Sequence, residues 1–322
     1  MILITGCTSL IGKKLTERLL AEGNKIRCLD FEKPKSFTKN VDFIQGDVLD
    51  SITVKKACKD VDTIFHLMDV SNTKYFSRRQ MKKINIKGTE NLITIAQKSG
   101  VKNFYFKSSY EVYGRSKAIP VRQDDPKKPV TSYGKDKLKA ENICWREIKK
   151  NKIAITIFRP AHIVGPETED PITLITLFMA MGMSDANRLY IAGNGDTKFQ
   201  YLHPEDAVDA IASAYKRGGT SGKVYNLGAD NVMTQMEEII KIKEEAKLDC
   251  EIKHIAPEFS AFLSIVLKPF KTQYLTKEHV MMLTSSVLLD CQLAKKDLMW
   301  EPKKDNISIM LETIDWYKKE KL

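Results

Sequence analysis

No apolar run in the 322-residue sequence reaches the ~18 residues that a membrane-spanning helix needs. The nearest candidate, FSAFLSIVLKPF from Phe259 to Phe270, is too short to cross a bilayer and reads as a core helix, a substrate lid or an interfacial patch. Cysteine pairs are missing as well. Cys7, Cys28, Cys58, Cys144, Cys250 and Cys291 lie far apart, mostly inside apolar stretches and without a CxxC pair, as buried free thiols do, so a reducing cytoplasm is expected. Arginine is scarce: only 10 of the 52 basic residues are Arg, and none follows Arg217. Against 41 acidic residues the net charge is +11, an excess made almost wholly of Lys. No Arg/aromatic stripe accompanies it, which points to a solvated Lys-rich surface and away from nucleic acid. His66 and His203 stand at no metal-ligand spacing from another His or Cys, so both read as structural and no metal site is expected. Met1 opens directly onto MILIT with no basic leader, and no signal peptide is expected. A content of 43% hydrophobic and 29% charged residues excludes disorder, collagen and coiled coil.

What is present is alternation. Apolar segments at 1–5, 25–30, 41–45, 61–67, 101–109 and 153–160 read as strands, and helical spacing recurs at 11–22, 51–59, 79–99 and 133–150. Strand–helix alternation with right-handed crossovers predicts an α/β fold: a Rossmann-type doubly wound parallel sheet over residues 1–160. After Pro160 the texture changes to Gly/Pro-bearing loops, with strands expected only at VYNLG (224–228) and EIKHI (251–255). Helical pattern returns at 205–216, 233–246, 275–284 and 306–319. Residues 161–322 are therefore expected to form a smaller C-terminal α/β substrate-binding lobe, some of whose strands and helices can return to the main sheet.

TGCTSLIG, from Thr5 to Gly12, follows the first strand and opens the first helix. Glycine there permits a tight turn and close approach of the backbone to a pyrophosphate, which the helix N-terminus favours electrostatically. Ser9 takes the middle position of that pattern, where its hydroxyl is expected to donate to phosphate and a positive φ would cost energy. Asp30 ends the second strand and is placed to accept from the adenosine ribose hydroxyls, favouring NAD over NADP, a preference that Lys33 and Lys35 soften. Asp47 either contacts adenine or caps the helix near Ser51.

A Tyr four residues before a Lys places both on one helix face. Chance alone supplies such pairs in a Lys-rich chain, and three occur: Tyr113/Lys117, Tyr133/Lys137 and Tyr317/Lys321. Only Tyr133 opens a helix between two sheet strands, after the start signal PVTS. An ammonium beside a phenol lowers its pKa and suits it to proton exchange with a secondary alcohol. Ser109, at the carboxyl end of a strand where such sheets bind ligands, completes the set.

Together these residues resemble the extended short-chain dehydrogenase/reductase family of the NAD-dependent epimerase/dehydratase type. TGCTSLIG is similar to its TGxxGxxG, FHLM from Phe65 to FHLAA, NIKGT from Asn85 to NxxGT and SSYEVYG from Ser108 to SSxxVYG. YGKDK from Tyr133 resembles YxxSK, with Asp136 replacing Ser, and RPAHIVGP from Arg159, the stretch 193–206, VYNLG from Val224 and AKKDLMW from Ala294 extend the likeness along nearly the whole chain. The resemblance implies that Tyr133 is the acid/base, that Lys137 holds the nicotinamide ribose and lowers the phenol pKa, and that Ser109 positions the substrate hydroxyl. It also implies NAD contacts at Gly6, Ser9, Leu10, Ile11, Gly12, Asp30, Asp47, Val48, Leu67, Met68 and Asn85, with Tyr133 and Lys137. A nucleotide-sugar substrate and a homodimer built on helices 79–99 and 133–150 are further implications. Lys198 stands where such members usually carry Arg, and His162 where they carry Asn, which leaves Lys198, Lys268 or Lys271 to bind phosphate. Glu111 is either the extra acid of a dehydratase or a solvated side chain. Phe262, Leu263 and YLTKE (Tyr274 to Glu278) resemble the hydroxysteroid-dehydrogenase branch, so oxidation of an apolar alcohol is the alternative, and a non-catalytic NAD-binding regulator is the reading from a different class.

Overall fold

The computed structural model describes residues 1–34, 40–71, 76–168, 188–247, 250–255 and 285–321. Seven strands form one parallel sheet: β1 (Ile2–Thr5), β2 (Ile26–Asp30), β3 (Val41–Gln45), β4 (Thr63–His66), β5 (Asn103–Lys107), β6 (Ala154–Pro160) and, arriving later in the chain, β10 (Val224–Leu227). Their spatial order is β10-β6-β5-β4-β1-β2-β3. From β1 the chain first winds outward to β2 and β3, then crosses to the other side for β4, β5 and β6. The reversal opens a crevice between the carboxyl ends of β1 and β4, where ligands of such sheets bind.

The helices between them are α1 (Leu10–Ala21), α2 (Ser51–Ala57), α3 (Arg78–Lys83), α4 (Thr89–Lys98) and α5 (Ser132–Lys150). Both sheet faces are covered, which is why the strands read as apolar runs rather than strict alternation. Ile2 and Ile4 face one core with Leu15 and Leu19 of α1 and with Ile211 of α6 (Pro204–Arg217). Leu3, pointing the other way, shares a second core with Leu92 of α4 and with Ala140 and Ile143 of α5.

Beyond β6 the described chain contains two short parallel pairs, β7 (His162–Ile163) with β9 (Tyr201–Leu202) and β8 (Arg188–Ala192) with β11 (Glu251–Ile255). It also contains α7 (Gln235–Glu245), α8 (Gln292–Leu298) and α9 (Asn306–Lys321). Three of these strands, β7, β8 and β9, are absent from the sequence expectation, as is α8. The two-residue strands β7 and β9 hold no period to detect, and the seven residues of α8 make barely two turns. The helix expected at 79–99 is also interrupted: Ile84–Gly88 forms a π turn between α3 and α4. The helical segment expected at 275–284 and the apolar stretch 259–270 lie outside the described residues.

Candidate active site

The turn after β1 is shaped by two glycines. Gly6 has φ +76°, and a Cβ there would collide with the backbone of Met68, so the turn lies directly on the chain leaving β4. A Cβ at Gly12 would overlap the Gly6 carbonyl oxygen and come within 2.8 Å of Cys7 Cα. The cradle a side chain would fill is the one a pyrophosphate needs, and the N–H groups of Leu10 and Ile11 open α1 without intrahelical carbonyl partners. Ser9 plays a different part from the one expected. It is the N-cap of α1 at φ −67°, its hydroxyl accepting from Gly12 N and donating its proton to Gly6 O at 2.7 Å. That proton is committed to the turn, and the extended backbone removes the anticipated cost of a positive φ.

Asp30 ties the same turn to the end of β2. Its Oδ2 accepts from Thr8 N (2.9 Å) and Thr8 Oγ1 (2.7 Å), and its Oδ1 from Phe31 N (2.8 Å). The Cys7 thiol also donates to Oδ2 (3.7 Å), so Oδ2 is fully engaged and the remaining acceptor direction for a ribose hydroxyl is on Oδ1. Asp47 does not cap α2. It accepts from Leu49 N within its own turn (2.9 Å), while Asp50 receives the N–H groups of Ile52 and Thr53. Val48 is fully buried and lies where a side chain on Gly88 would strike it. Lys33 is exposed, and Lys35 lies outside the described residues.

The chain leaving β4 is held from behind. His66 is buried, with Nδ1 2.7 Å from Thr5 Oγ1 and Nε2 3.0 Å from Thr89 Oγ1. Burial, together with the nearby Lys137, pushes its pKa down to about 3, so the ring is neutral. Asn85, in the π turn, clamps Val70 from both sides of its amide: Val70 N donates to Oδ1 and Nδ2 donates to Val70 O, each at 2.9 Å. Asn85 therefore fixes Val70, three residues beyond Leu67 on the chain leaving β4.

Tyr133 and Lys137 sit one turn apart on α5, whose first turn packs on a 3₁₀ turn at Tyr110–Val112; a Cβ at Gly134 would lie 2.6 Å from Glu111 O. Thr131 caps α5 and its hydroxyl donates to Glu111, so that carboxylate is engaged with the helix start. Ser109 is buried at the head of the 3₁₀ turn, its Oγ accepting from Glu111 N at 3.2 Å. Between Tyr133 and Lys137 stands a group that the motifs do not include. Asp69 Oδ2 accepts the Tyr133 hydroxyl at 2.5 Å, and lies 3.4 Å from Lys137 Nζ and 3.2 Å from Lys107 Nζ. Burial raises the Asp69 carboxyl, but the two ammonium groups and the phenol outweigh it and hold it well below the carboxylate range. The expected lowering of the Tyr133 pKa is reversed: burial and the adjacent carboxylate push the phenol well above its ordinary value. Burial also lowers Lys137, whose ammonium lies 4.6 Å from the centre of the Phe106 ring. Asp69 directly follows the FHLM match, and no spacing or motif in the sequence marks it out.

Asp136, the replacement for the usual Ser, is buried and paired with Arg78 Nη1 of α3 at 2.5 Å. On the C-terminal side, His162 packs edge-on against Phe199 at 6.0 Å, and Lys198 is partly exposed beside it. Lys268, Lys271, Phe262, Leu263 and Tyr274 to Glu278 lie outside the described residues. The described residues contain no cluster of His, Cys, Asp and Glu able to hold a metal, and no helix among them is long and apolar enough to cross a membrane. All six cysteines are free and buried.

Comparison with known proteins adds the family. The family model described as NAD dependent epimerase/dehydratase family matches residues 2–228. The chain is 28% identical over 229 residues to dTDP-D-glucose 4,6-dehydratase of Mus musculus, covering 68% of this chain and 63% of that protein. It is 25% identical over 341 residues to UDP-glucose 4-epimerase of Lactobacillus helveticus, covering 98% and 97%. Its fold is similar to that of UDP-glucuronic acid 4-epimerase from Bacillus cereus in complex with NAD, with a TM-score of 0.79, 20% identity and coverage of 99% and 98%. With a Rossmann-type sheet, a glycine turn shaped for a dinucleotide and a family match over most of its length, the chain belongs to the NAD dependent epimerase/dehydratase family of extended short-chain dehydrogenases/reductases.

Proposed function

We propose that this chain acts on a nucleotide-sugar, taking it through a keto stage as an epimerase or dehydratase. The observation that carries the reading is convergence: the glycine turn and the Tyr133 hydroxyl both meet the segment Leu67 to Asp69, one through Gly6 against Met68 and the other through Asp69. A dinucleotide bound in the cradle is thereby directed toward the proton-transfer group. When bound, NAD supplies the acceptor and donor for the electron pair of the substrate C–H bond.

The protein's own groups supply position and protons. Gly6, Leu10, Ile11 and Gly12 present backbone to the pyrophosphate, with Ser9 as the cap that shapes them. Asp30 accepts from the adenosine ribose, Asp47 and Val48 border the adenine, and Leu67 and Met68 form the floor, followed on the chain by Val70, which Asn85 fixes. Ser109 orients the substrate hydroxyl, Tyr133 exchanges its proton, and Lys137 carries the compensating positive charge. The parts of residues 161–322 outside β10 and α6, which belong to the main sheet and its helix layer, form the substrate lobe, with Lys198 as a point charge for the diphosphate in place of Arg. The adjacent helices α4 and α5 form the homodimer surface, and the six buried thiols suit a cytoplasmic setting.

The test is a thermal-shift titration of the NAD-loaded protein with UDP, dTDP, GDP and CDP, since a ligand that binds the native state raises its stability by mass action. One nucleotide is expected to shift the melting temperature, and its glucose derivative to be converted to a C4 epimer or a 4-keto-6-deoxy sugar. No shift with any nucleotide, with oxidation of an apolar secondary alcohol, would replace this reading by the hydroxysteroid-type one.

A further inference from the structure

The carboxylate nearest the reacting position belongs to Asp69. Its Oδ2 receives the only proton of the Tyr133 hydroxyl, so that proton is turned into the protein and the oxygen lone pairs are what remain for a substrate. Asp69 keeps 13% of its side-chain surface, Lys107 12% and Lys137 2%, which makes the three charges a partly dehydrated cluster in which pairing is strong. Its backbone is anchored as well: two buried hydrogen bonds between Asn85 and Val70 fix the next residue of the chain, while the Asp69 side chain is held by Tyr133, Lys107 and Lys137.

We propose that Asp69 is a positioning residue that holds Tyr133 as a neutral phenol with its proton turned inward, so that Tyr133 can take a proton from substrate only after giving up the one it shares with Asp69. The proposal rests on the reading of Tyr133 as the acid/base. In the oxidation direction the shared proton leaves to solvent. The substrate O–H bond then breaks and its proton passes to the Tyr133 oxygen. The O–H electron pair becomes the second C=O bond while the C–H pair passes, with its hydrogen, to the nicotinamide dinucleotide. In the reduction direction each transfer reverses.

The surroundings of Tyr133 argue for this electrostatic role. From the end of β4 come Asp69 and the neutral His66, from β5 Lys107, from the 3₁₀ turn Tyr110 and Glu111, and from α5 Lys137 and Glu141. Glu141 is neutralised by Arg159, and Glu111 is bonded by Thr131. Lys107 and Lys137 both point at Asp69 and keep it anionic. The phenol therefore faces one close carboxylate, and the raised pKa of Tyr133 agrees with that geometry.

Two readouts test it on the NAD-loaded protein, comparing wild type with Asp69→Asn, which keeps the shape, and Asp69→Ala. The first is ionisation of Tyr133, followed by tyrosinate absorbance and isolated by subtracting the Tyr133→Phe protein. A charge at this distance shifts a pKa by about 1–3 units, so the midpoint is expected to fall by about one unit or more in both variants. The second is the pH profile of substrate oxidation, whose alkaline rise should move down by the same interval. A smaller fall in the ionisation midpoint in the folded Asp69→Asn protein overturns the proposal. Absence of turnover in wild type would instead overturn the functional reading, while the phenol titration still decides the role of Asp69.

Discussion

Arg159 and Glu141 are joined by two parallel hydrogen bonds, Nε to Oε1 at 2.9 Å and Nη2 to Oε2 at 2.6 Å, each side chain only 1% exposed. The pair is wired further. Arg159 Nη1 donates to Tyr113 Oη and to Gln123 O, Tyr113 Oη donates to Asn226, and Ser108 donates to Glu141 at 2.5 Å. Glu141 lies one turn beyond Lys137 on α5, and Ser108 immediately precedes Ser109. One ion pair thus anchors the helix and the strand end that carry the proposed proton-transfer groups.

Removing one partner of such a pair leaves the other charged and buried, which typically costs about 3–5 kcal/mol. Glu141→Leu is expected to destabilise the protein by that amount, read as a fall in the urea midpoint. A change under ~1 kcal/mol would mean that Arg159 finds other compensation and that the network is not what sets α5.

Gly12→Ala addresses the cradle. The new methyl would overlap the Gly6 carbonyl oxygen, so either α1 shifts or the turn opens. Overpacking of this kind costs about 1–3 kcal/mol, and displaced helix N–H groups lose their aim at a phosphate. We expect NAD affinity to fall by about tenfold or more, since 1.4 kcal/mol is a factor of ten. Calorimetric titration with NAD checks it, and unchanged affinity would exclude the turn as the pyrophosphate site.

The first 160 residues were legible because nearly every strand there is held between two helix layers, and burial on both faces writes itself as apolar runs. The glycine turn and the Tyr133/Lys137 pair were legible because local spacing places them. The π turn at Ile84–Gly88 was not, and Asn85 within it is tied to Val70, a contact 15 residues away that local spacing does not show. Asp69 was missed for a related reason. A single acidic residue after a strand has no pattern, and its meaning arises only when β4, β5 and α5 bring Lys107, Lys137 and Tyr133 to it. Ser9 carries a structural part that spacing did not show, since it caps α1 and its hydroxyl donates to the Gly6 carbonyl.

The neutral His66 gives stability a pH dependence of known sign. Its folded pKa, about 3, lies below the ordinary histidine value of about 6.5, so between these limits the unfolded chain binds more protons than the native one. Stability is then expected to fall as pH drops from about 6.5 toward 3, with this residue contributing a slope of up to ~1.4 kcal/mol per pH unit. Urea titrations of wild type and His66→Gln at several pH values test it. The variant, lower in stability at neutral pH because Thr5 and Thr89 lose a partner, should show the shallower decline, and parallel curves would show that the ring does not remain neutral in the fold.

Tyr133→Phe separates catalysis from binding. The variant keeps the ring and loses the hydroxyl, and Asp69 remains paired with Lys107 and Lys137, so the carboxylate is not stranded. Stability should change by no more than the ~1 kcal/mol net value of one hydrogen bond. NAD affinity should persist, because the glycine turn and Asp30 are untouched. Turnover, however, loses its proton carrier and should drop by about 10²–10⁴-fold, the usual contribution of a positioned acid/base. Steady-state rates beside an NAD titration on the same preparation provide the check. A variant that turns over like wild type would remove Tyr133 from the chemistry, and NAD binding by a wild type with no turnover would make the chain a dinucleotide-binding regulator built on an enzyme's fold.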